Sequence, residues 1–215
     1  MKIDIAFRVS STGTIPADHG YLLYAALSRK LPYLHESLDV GVHPIRGRQL
    51  GDRRMALQDF SRVTVHADVE AIRHFIPLSG SSINLAGTSL LLGVPELRQL
   101  EPAPDLRCRL VVIKLSHSPT VPEDAFLKSL TEQLQALDVT PDEVLLGDRR
   151  TLRIKDCEVV GYEVCLAGLT AAASVRVQEQ GLGGRHRMGC GMFATIDAAQ
   201  WKATRARKSK EATHG

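Results

Sequence analysis

The chain has 215 residues, 44 % hydrophobic and 24 % charged, which suits one large folded domain or two small ones and excludes a disordered tail, a collagen or a disulfide scaffold. Its 27 Lys/Arg and 24 Asp/Glu give a formal charge of +3, and the excess sits in Trp201–Gly215, where Lys202, Arg205, Arg207, Lys208 and Lys210 meet one acid, Glu211. Without that segment the charge is −1, so any anion site must be a local cluster rather than an average field.

No stretch approaches the roughly 18 consecutive apolar residues of a membrane helix. MKIDIAFRVS places Asp4 and Arg8 where a signal peptide has its apolar region, so a cytoplasmic protein without membrane contact is expected. Cys108, Cys157, Cys165 and Cys190 form no CxxC pair, which argues against a structural zinc site of usual spacing and for small core residues.

Lys2–Ser10 alternates Ile3, Ile5, Phe7 and Val9 with polar residues, the period of a strand. Asp18 is a candidate N-cap for a helix through HGYLLYAALSRK, with Arg29 and Lys30 in its last turn and Pro32 as the stop. Strand-like runs follow at Leu38–Ile45, Arg54–Leu57 and Val63–Ala67, then a helix at Val69–Phe75 and a strand at Leu90–Val94. The prolines of Pro102–Asp105 mark a linker.

The order then begins again. Leu106–Leu115 reads as a strand, and Pro122–Leu137 as a helix with Phe126, Leu127, Leu130, Leu134 and Leu137 on one face. Leu152–Leu166 reads as one long strand or two pairing around Gly161. Thr170 can cap a helix to about Glu179, and Met188–Ile196 is the last strand. The fold class is therefore α+β, two tandem ferredoxin-like (βαββαβ, RRM-like) domains. Their expected limits are 1–103 and 104–200, with 201–215 a basic disordered tail.

Five of the eleven residues in GLGGRHRMGCG are glycine: Gly181, Gly183, Gly184, Gly189 and Gly191. Backbone amides there, with Arg185, His186 and Arg187, suit a phosphate backbone. The bland alternative is a turn with solvated arginines. A Walker loop fails because Cys190-Gly191 stands where Lys-Ser/Thr is needed, and no βαβ unit follows to support a dinucleotide fingerprint.

His19, Tyr21, Tyr24, His35 and His43 fall within about thirty residues, beside Arg46 and Arg48. A single histidine is more often structural than catalytic; the grouping favours chemistry. Histidine serves as base and acid near neutral pH, as metal-free RNA cleavage requires. One group takes the 2′-hydroxyl proton, another protonates the departing 5′-oxygen, and a cation steadies the phosphorane. No HExxH or carboxylate cluster accompanies His35 and His43, so neither metal nor other cofactor is expected. Only His117-Ser118-Pro119 resembles the motif of two-histidine phosphoesterases.

IPADHGYLLYAALSR, the LHE of Leu34–Glu36, VGVHPIRGR, TLRIK (Thr151–Lys155) and QEQGLGGRHRMGCGMF resemble the CRISPR repeat-RNA endoribonucleases, the sixth Cas family, and most closely its Myxan-type branch. The likeness runs to about Phe193. It implies tandem ferredoxin-like domains and metal-independent cleavage of precursor transcripts within repeats. It also implies guide RNAs with a 5′ handle and a 2′,3′-cyclic phosphate end, retention of that product, and entry into an interference complex as monomer or homodimer. Tyr24 and His35 match the Tyr and His of members with a Tyr/His/Lys set. The Lys has no counterpart near Gly41, where His43, Arg46 or Arg48 can substitute, and His19 matches members with a His in the first helix.

The resulting expectation is His35 as base with Tyr24 or His43 as partner, and Arg46 and Arg48 near the cut. Arg153, Lys155 and the glycine loop would hold the repeat. With 5 % aromatic residues, recognition should rest on phosphate and shape. A subunit that holds repeat RNA without cutting it is the second reading, and an enzyme using the glycine loop for a small phosphorylated ligand the third.

Overall fold

The computed structural model describes residues 1–11, 13–114 and 122–213. Leu115 and His117-Ser118-Pro119 lie outside the described residues. The first strand, β1 (Lys2–Ser10), is as its alternation predicts: Ile3, Ile5, Phe7 and Val9 are buried, while Asp4 and Arg8 point to the other face. After β2 (Thr14–Pro16) come α1 (Gly20–Lys30), a one-turn α2 (Tyr33–Glu36) and β3 (Gly41–His43). β4 (Arg48–Leu50), β5 (Arg54–Ala56), β6 (Arg62–Asp68), one-turn α3 (Ile72–Phe75), β7 (Ser82–Leu85) and β8 (Thr88–Gln99) complete the first half.

Its main sheet runs β3-β6-β1-β8-β7, all antiparallel, with a small β2-β5-β4 sheet beside it. Leu23 and Leu27 of α1 join Ile5, Phe7, Val63 and Val65 in the first core. Burial of such side chains is worth about 1.5–3 kcal/mol each.

The second half holds β9 (Leu106–Val111), α4 (Glu123–Ala136), β10 (Glu143–Ile154), β11 (Cys157–Ala167), α5 (Ala171–Gln180), β12 (Ala194–Thr195) and α6 (Ala198–Thr213). Its sheet order is β10-β11-β9-β12, and Phe126, Leu130, Val164 and Val177 lie in a second core. In each half the first strand is central, β1 between β6 and β8 and β9 between β11 and the short β12, the ferredoxin-like arrangement twice over.

Several local expectations change. Asp18 does not cap α1; His19 occupies the N-cap position, and Asp18 Oδ2 accepts the Arg153 N–H at 3.0 Å. The β10–β11 hairpin turns at Lys155 and Asp156, with Lys155 at φ 53°, and Gly161 lies within β11. The last strand shrinks to Ala194–Thr195, because Gly189 and Gly191 adopt positive φ and a 3₁₀ turn fills His186–Met188. Thr170 does cap α5, accepting from Ala173 N at 3.2 Å.

The segment expected to be a disordered tail begins as a docked helix. Ala198 and Trp201 of α6 are buried against Cys165 and Ala167, and Trp201 Nε1 donates to Glu163 at 2.9 Å. Glu163 is buried and also accepts from Arg107 and Arg150; burial pushes its carboxyl up, but these donors outweigh burial and lower it. The halves meet where Gly20 opens α1: a Cβ there would stand 2.2 Å from Met188 O, so only glycine lets the helix start against the glycine loop.

Candidate active site

Tyr24 lies on the inner side of α1, 8 % exposed, and its hydroxyl reaches Nδ1 of His35 at 2.9 Å. Pro32 ends the first helix, and Leu34 is buried in the core, so the short helix α2 turns His35 outward to solvent. The two rings meet edge to face at 5.5 Å. Arg187, from the glycine loop, stands over the Tyr24 ring at 5.5 Å. Its Nη1 donates to the carbonyls of Leu34 at 3.0 Å and His35 at 2.9 Å, with Ser37 O at 3.4 Å. These are carbonyls that a helix end leaves without partners. Arg187, expected on phosphate, is instead spent on the protein, pinning the segment that carries His35.

His19 is not a reacting group. It is 3 % exposed, its Nε2 accepts the Ile45 N–H at 2.9 Å, and Nδ1 therefore donates to Pro16 O at 3.0 Å. Burial depresses its pKa to about 4 despite the bond to Pro16. The histidine at the helix start is a structural clasp for the β3–β4 connection.

His43 does not join Tyr24 and His35. Val42 faces the core, so alternation turns His43 to the opposite side of the sheet. There His43 Nε2 lies 3.4 Å from Asp4 Oδ1, and His66 Nδ1 lies 2.9 Å from the same oxygen. His66 Nε2 bonds the Glu179 carbonyl at the end of α5, at 3.2 Å. Burial pushes the Asp4 carboxyl up, but the two imidazoles outweigh it and hold it well below the usual carboxylate range. Asp4 and His43 open onto a cavity of about 760 Å³ between the halves, lined also by Arg46, Arg62, Arg98, Phe60, Gln178 and Phe193. Asp4 and His66 were missed in the sequence. Their signal was a polar residue in the outward phase of two strands, KIDIAF (Lys2–Phe7) and VTVHAD (Val63–Asp68), where pairing sets Asp4 opposite His66.

The glycine loop holds its shape by its own amides. Gly181, Gly183, Gly184, Gly189 and Gly191 donate to Val177 O, Gln133 Oε1, Val112 O, His186 O and Leu110 O respectively. The expected cradle of free amides for phosphate is thereby corrected: these donors are committed within the protein. At Gly191 φ is +70° and a Cβ would meet Leu182 O at 2.2 Å, which explains the glycine without a ligand. His186 is tucked against Gly181 and Gly191, and burial lowers its pKa. Arg185, left-handed at φ 65°, and Gly184 are exposed at the loop tip.

Among the other expected contacts, Arg46 and Arg48 are exposed, Arg46 on the cavity wall and Arg48 on the small sheet. Arg153 and Lys155 are exposed at the β10–β11 hairpin end. Among the described residues no helix is long and apolar enough to cross a membrane.

A sequence model of the family described as Cas6 Crispr matches residues 3–198. The CRISPR-associated endonuclease Cas6 of Myxococcus xanthus (strain DK1622) is 42 % identical over 191 residues, 89 % of this chain and 80 % of that protein. Among solved structures, an RAMP protein binding different RNA substrates superposes with a TM-score of 0.62 at 16 % identity, covering 92 % of this chain and all of the other. A CRISPR-associated protein Cas6 gives 0.61 at 13 %, covering 92 % and 99 %, and these two show the fold. The matched span takes in both cores, the Tyr24–His35 pair and the glycine loop, and the chain belongs to the Cas6 family.

Proposed function

We propose that this chain is a metal-independent endoribonuclease that cuts CRISPR precursor transcripts within their repeats, releasing guide RNAs. The observation that carries the reading is the Tyr24 Oη–His35 Nδ1 hydrogen bond at 2.9 Å, set at the surface and held from behind by Arg187. With Nδ1–H donating to Tyr24, the lone pair of His35 Nε2 faces outward as the base. It takes the proton of the 2′-hydroxyl; the 2′-oxygen bonds to phosphorus, the P–O5′ bond breaks, and the 5′-oxygen gains a proton. The products are a 2′,3′-cyclic phosphate and a 5′-hydroxyl. Tyr24 orients the base and is the nearest group to act as acid.

Arg46, Arg48, Arg153, Lys155 and Arg185 are exposed and suit phosphate contacts along the repeat. Retention of the product, entry into an interference complex as monomer or homodimer, and a cytoplasmic setting belong to the same reading and rest on family membership. The test uses cognate repeat RNA in chelator beside a copy with a 2′-deoxy residue at the cut. Cleavage of the unsubstituted RNA alone supports the proposal. Binding without cleavage shows an RNA-holding subunit, and no repeat binding overturns both.

A further inference from the structure

The Asp4–His43–His66 cluster has no part in the proposed cut, and its hydrogen bonding leaves an account to close. His66 is 2 % exposed, and both of its ring nitrogens face acceptors: the Glu179 carbonyl at Nε2 and the Asp4 carboxylate at Nδ1. His43 Nε2, beside the same carboxylate oxygen, is buried without a hydrogen bond. Three electron-pair donors thus converge on one point, all within 4.8 Å of one another.

The geometry points to a site for a single divalent transition-metal ion, zinc above all, held by Asp4 Oδ1, His43 Nε2 and His66 Nδ1. Ligands at about 2.0–2.2 Å from a tetrahedral zinc stand about 3.4 Å apart. The Asp4–His43 separation is 3.4 Å, while Asp4 and His66 are 2.9 Å apart, a hydrogen-bond length that ion binding would open by about 0.5 Å. Two imidazoles and one carboxylate suit zinc and its neighbours; magnesium and calcium prefer all-oxygen sets. The Nε2–H bond from His66 to the Glu179 carbonyl is the outer-shell contact that fixes a metal-binding tautomer. Asp4 and His43 also line the cavity, from which a water could complete the ligand set.

The three ligands come from β1, β3 and β6, and Glu179 from α5, so the ion would tie the sheet of the first half to a helix of the second. It lies across the sheet from Tyr24 and His35, and the inference does not depend on RNA cleavage.

The test uses the untagged full chain, stripped with chelator and without RNA. It should take up one Zn²⁺ per chain in equilibrium dialysis, and Co²⁺ should give the visible bands of a tetrahedral site. Two of the eight histidines should shift in ring ¹⁵N spectra. His43→Gln and Asp4→Asn should each weaken uptake at least about 10-fold, while Cys157→Ser, at the exposed cysteine, leaves it unchanged. If either variant fails to fold, the wild-type histidine spectrum decides. Absent stoichiometric uptake, uptake unchanged in both ligand variants, or no shift of two histidines overturns the proposal.

Discussion

Arg187 Nη1 donates to the main-chain carbonyl of His35 at 2.9 Å, across 152 positions of sequence. A loop of the second half thereby sets the place of the histidine of the first. Arg187→Ala should slow repeat cleavage at least about 10-fold through misplacement of His35, with a smaller loss in RNA affinity. Arg187→Lys should restore the rate only in part, because an ammonium can donate to the carbonyls but lacks the planar guanidinium face that stands over the Tyr24 ring. Single-turnover rates and filter binding separate the two effects. Equal losses in rate and affinity would return Arg187 to the RNA.

His35→Ala should lower the single-turnover rate by at least about 10²-fold while repeat binding stays near wild type. Tyr24→Phe keeps the ring beneath Arg187 and removes the hydroxyl, so its smaller loss should come with an altered pH–rate profile. An unchanged rate in His35→Ala would remove it from the chemistry.

His19 predicts acid sensitivity of the fold. Its folded-state pKa, about 4, lies below the ordinary 6.5. The unfolded chain therefore binds a proton that the folded chain excludes. The stabilisation is full above about pH 6.5 and is lost as pH falls toward 4, about 2 kcal/mol between pH 7 and pH 5. Urea midpoints for wild type and His19→Gln should converge over that interval. Parallel falls in both proteins would assign the loss elsewhere.

Gly191→Ala combines a φ of +70° with a Cβ placed 2.2 Å from Leu182 O. The expected cost is at least about 1–3 kcal/mol, read as a lowered thermal midpoint. Because the loop amides are engaged within the protein, stability should fall before RNA affinity at matched folded fraction.

Truncation should separate two roles of the basic end. Deleting 205–215 removes Arg205, Arg207, Lys208 and Lys210 and should flatten the salt dependence of RNA binding while the fold stands. Deleting 201–215 also removes buried Trp201 from Glu163 and should destabilise by about 3–5 kcal/mol. Equal thermal midpoints for the two truncations would show that the Trp201 contact contributes nothing.

Periodicity made β1, α1 and α4 legible, since each buries one regular face. Thr170 announced α5 by side-chain chemistry alone. The sequence leaves Leu152–Leu166 open between one long strand and two pairing around Gly161; neither matches, because Lys155 adopts the left-handed conformation at the turn and Gly161 continues the strand. Tyr24 and His35 were visible through resemblance and are eleven residues apart in sequence. The partition of histidines was not: His19 turns inward to Ile45, His43 crosses to Asp4, and both fates depend on strands far along the chain. Counting glycines predicted free amides, and only tertiary contacts revealed where those amides were engaged.

The bond from Arg187 to His35 also bears on timing. During synthesis Tyr24 and His35 emerge more than 150 residues ahead of the arginine that holds them in place. A nascent first half could fold its own sheet and helices with an unfastened histidine. On the role proposed for His35, cutting would await the arrival of the glycine loop against α1, so an incomplete chain would carry the Tyr24–His35 pair without its clasp.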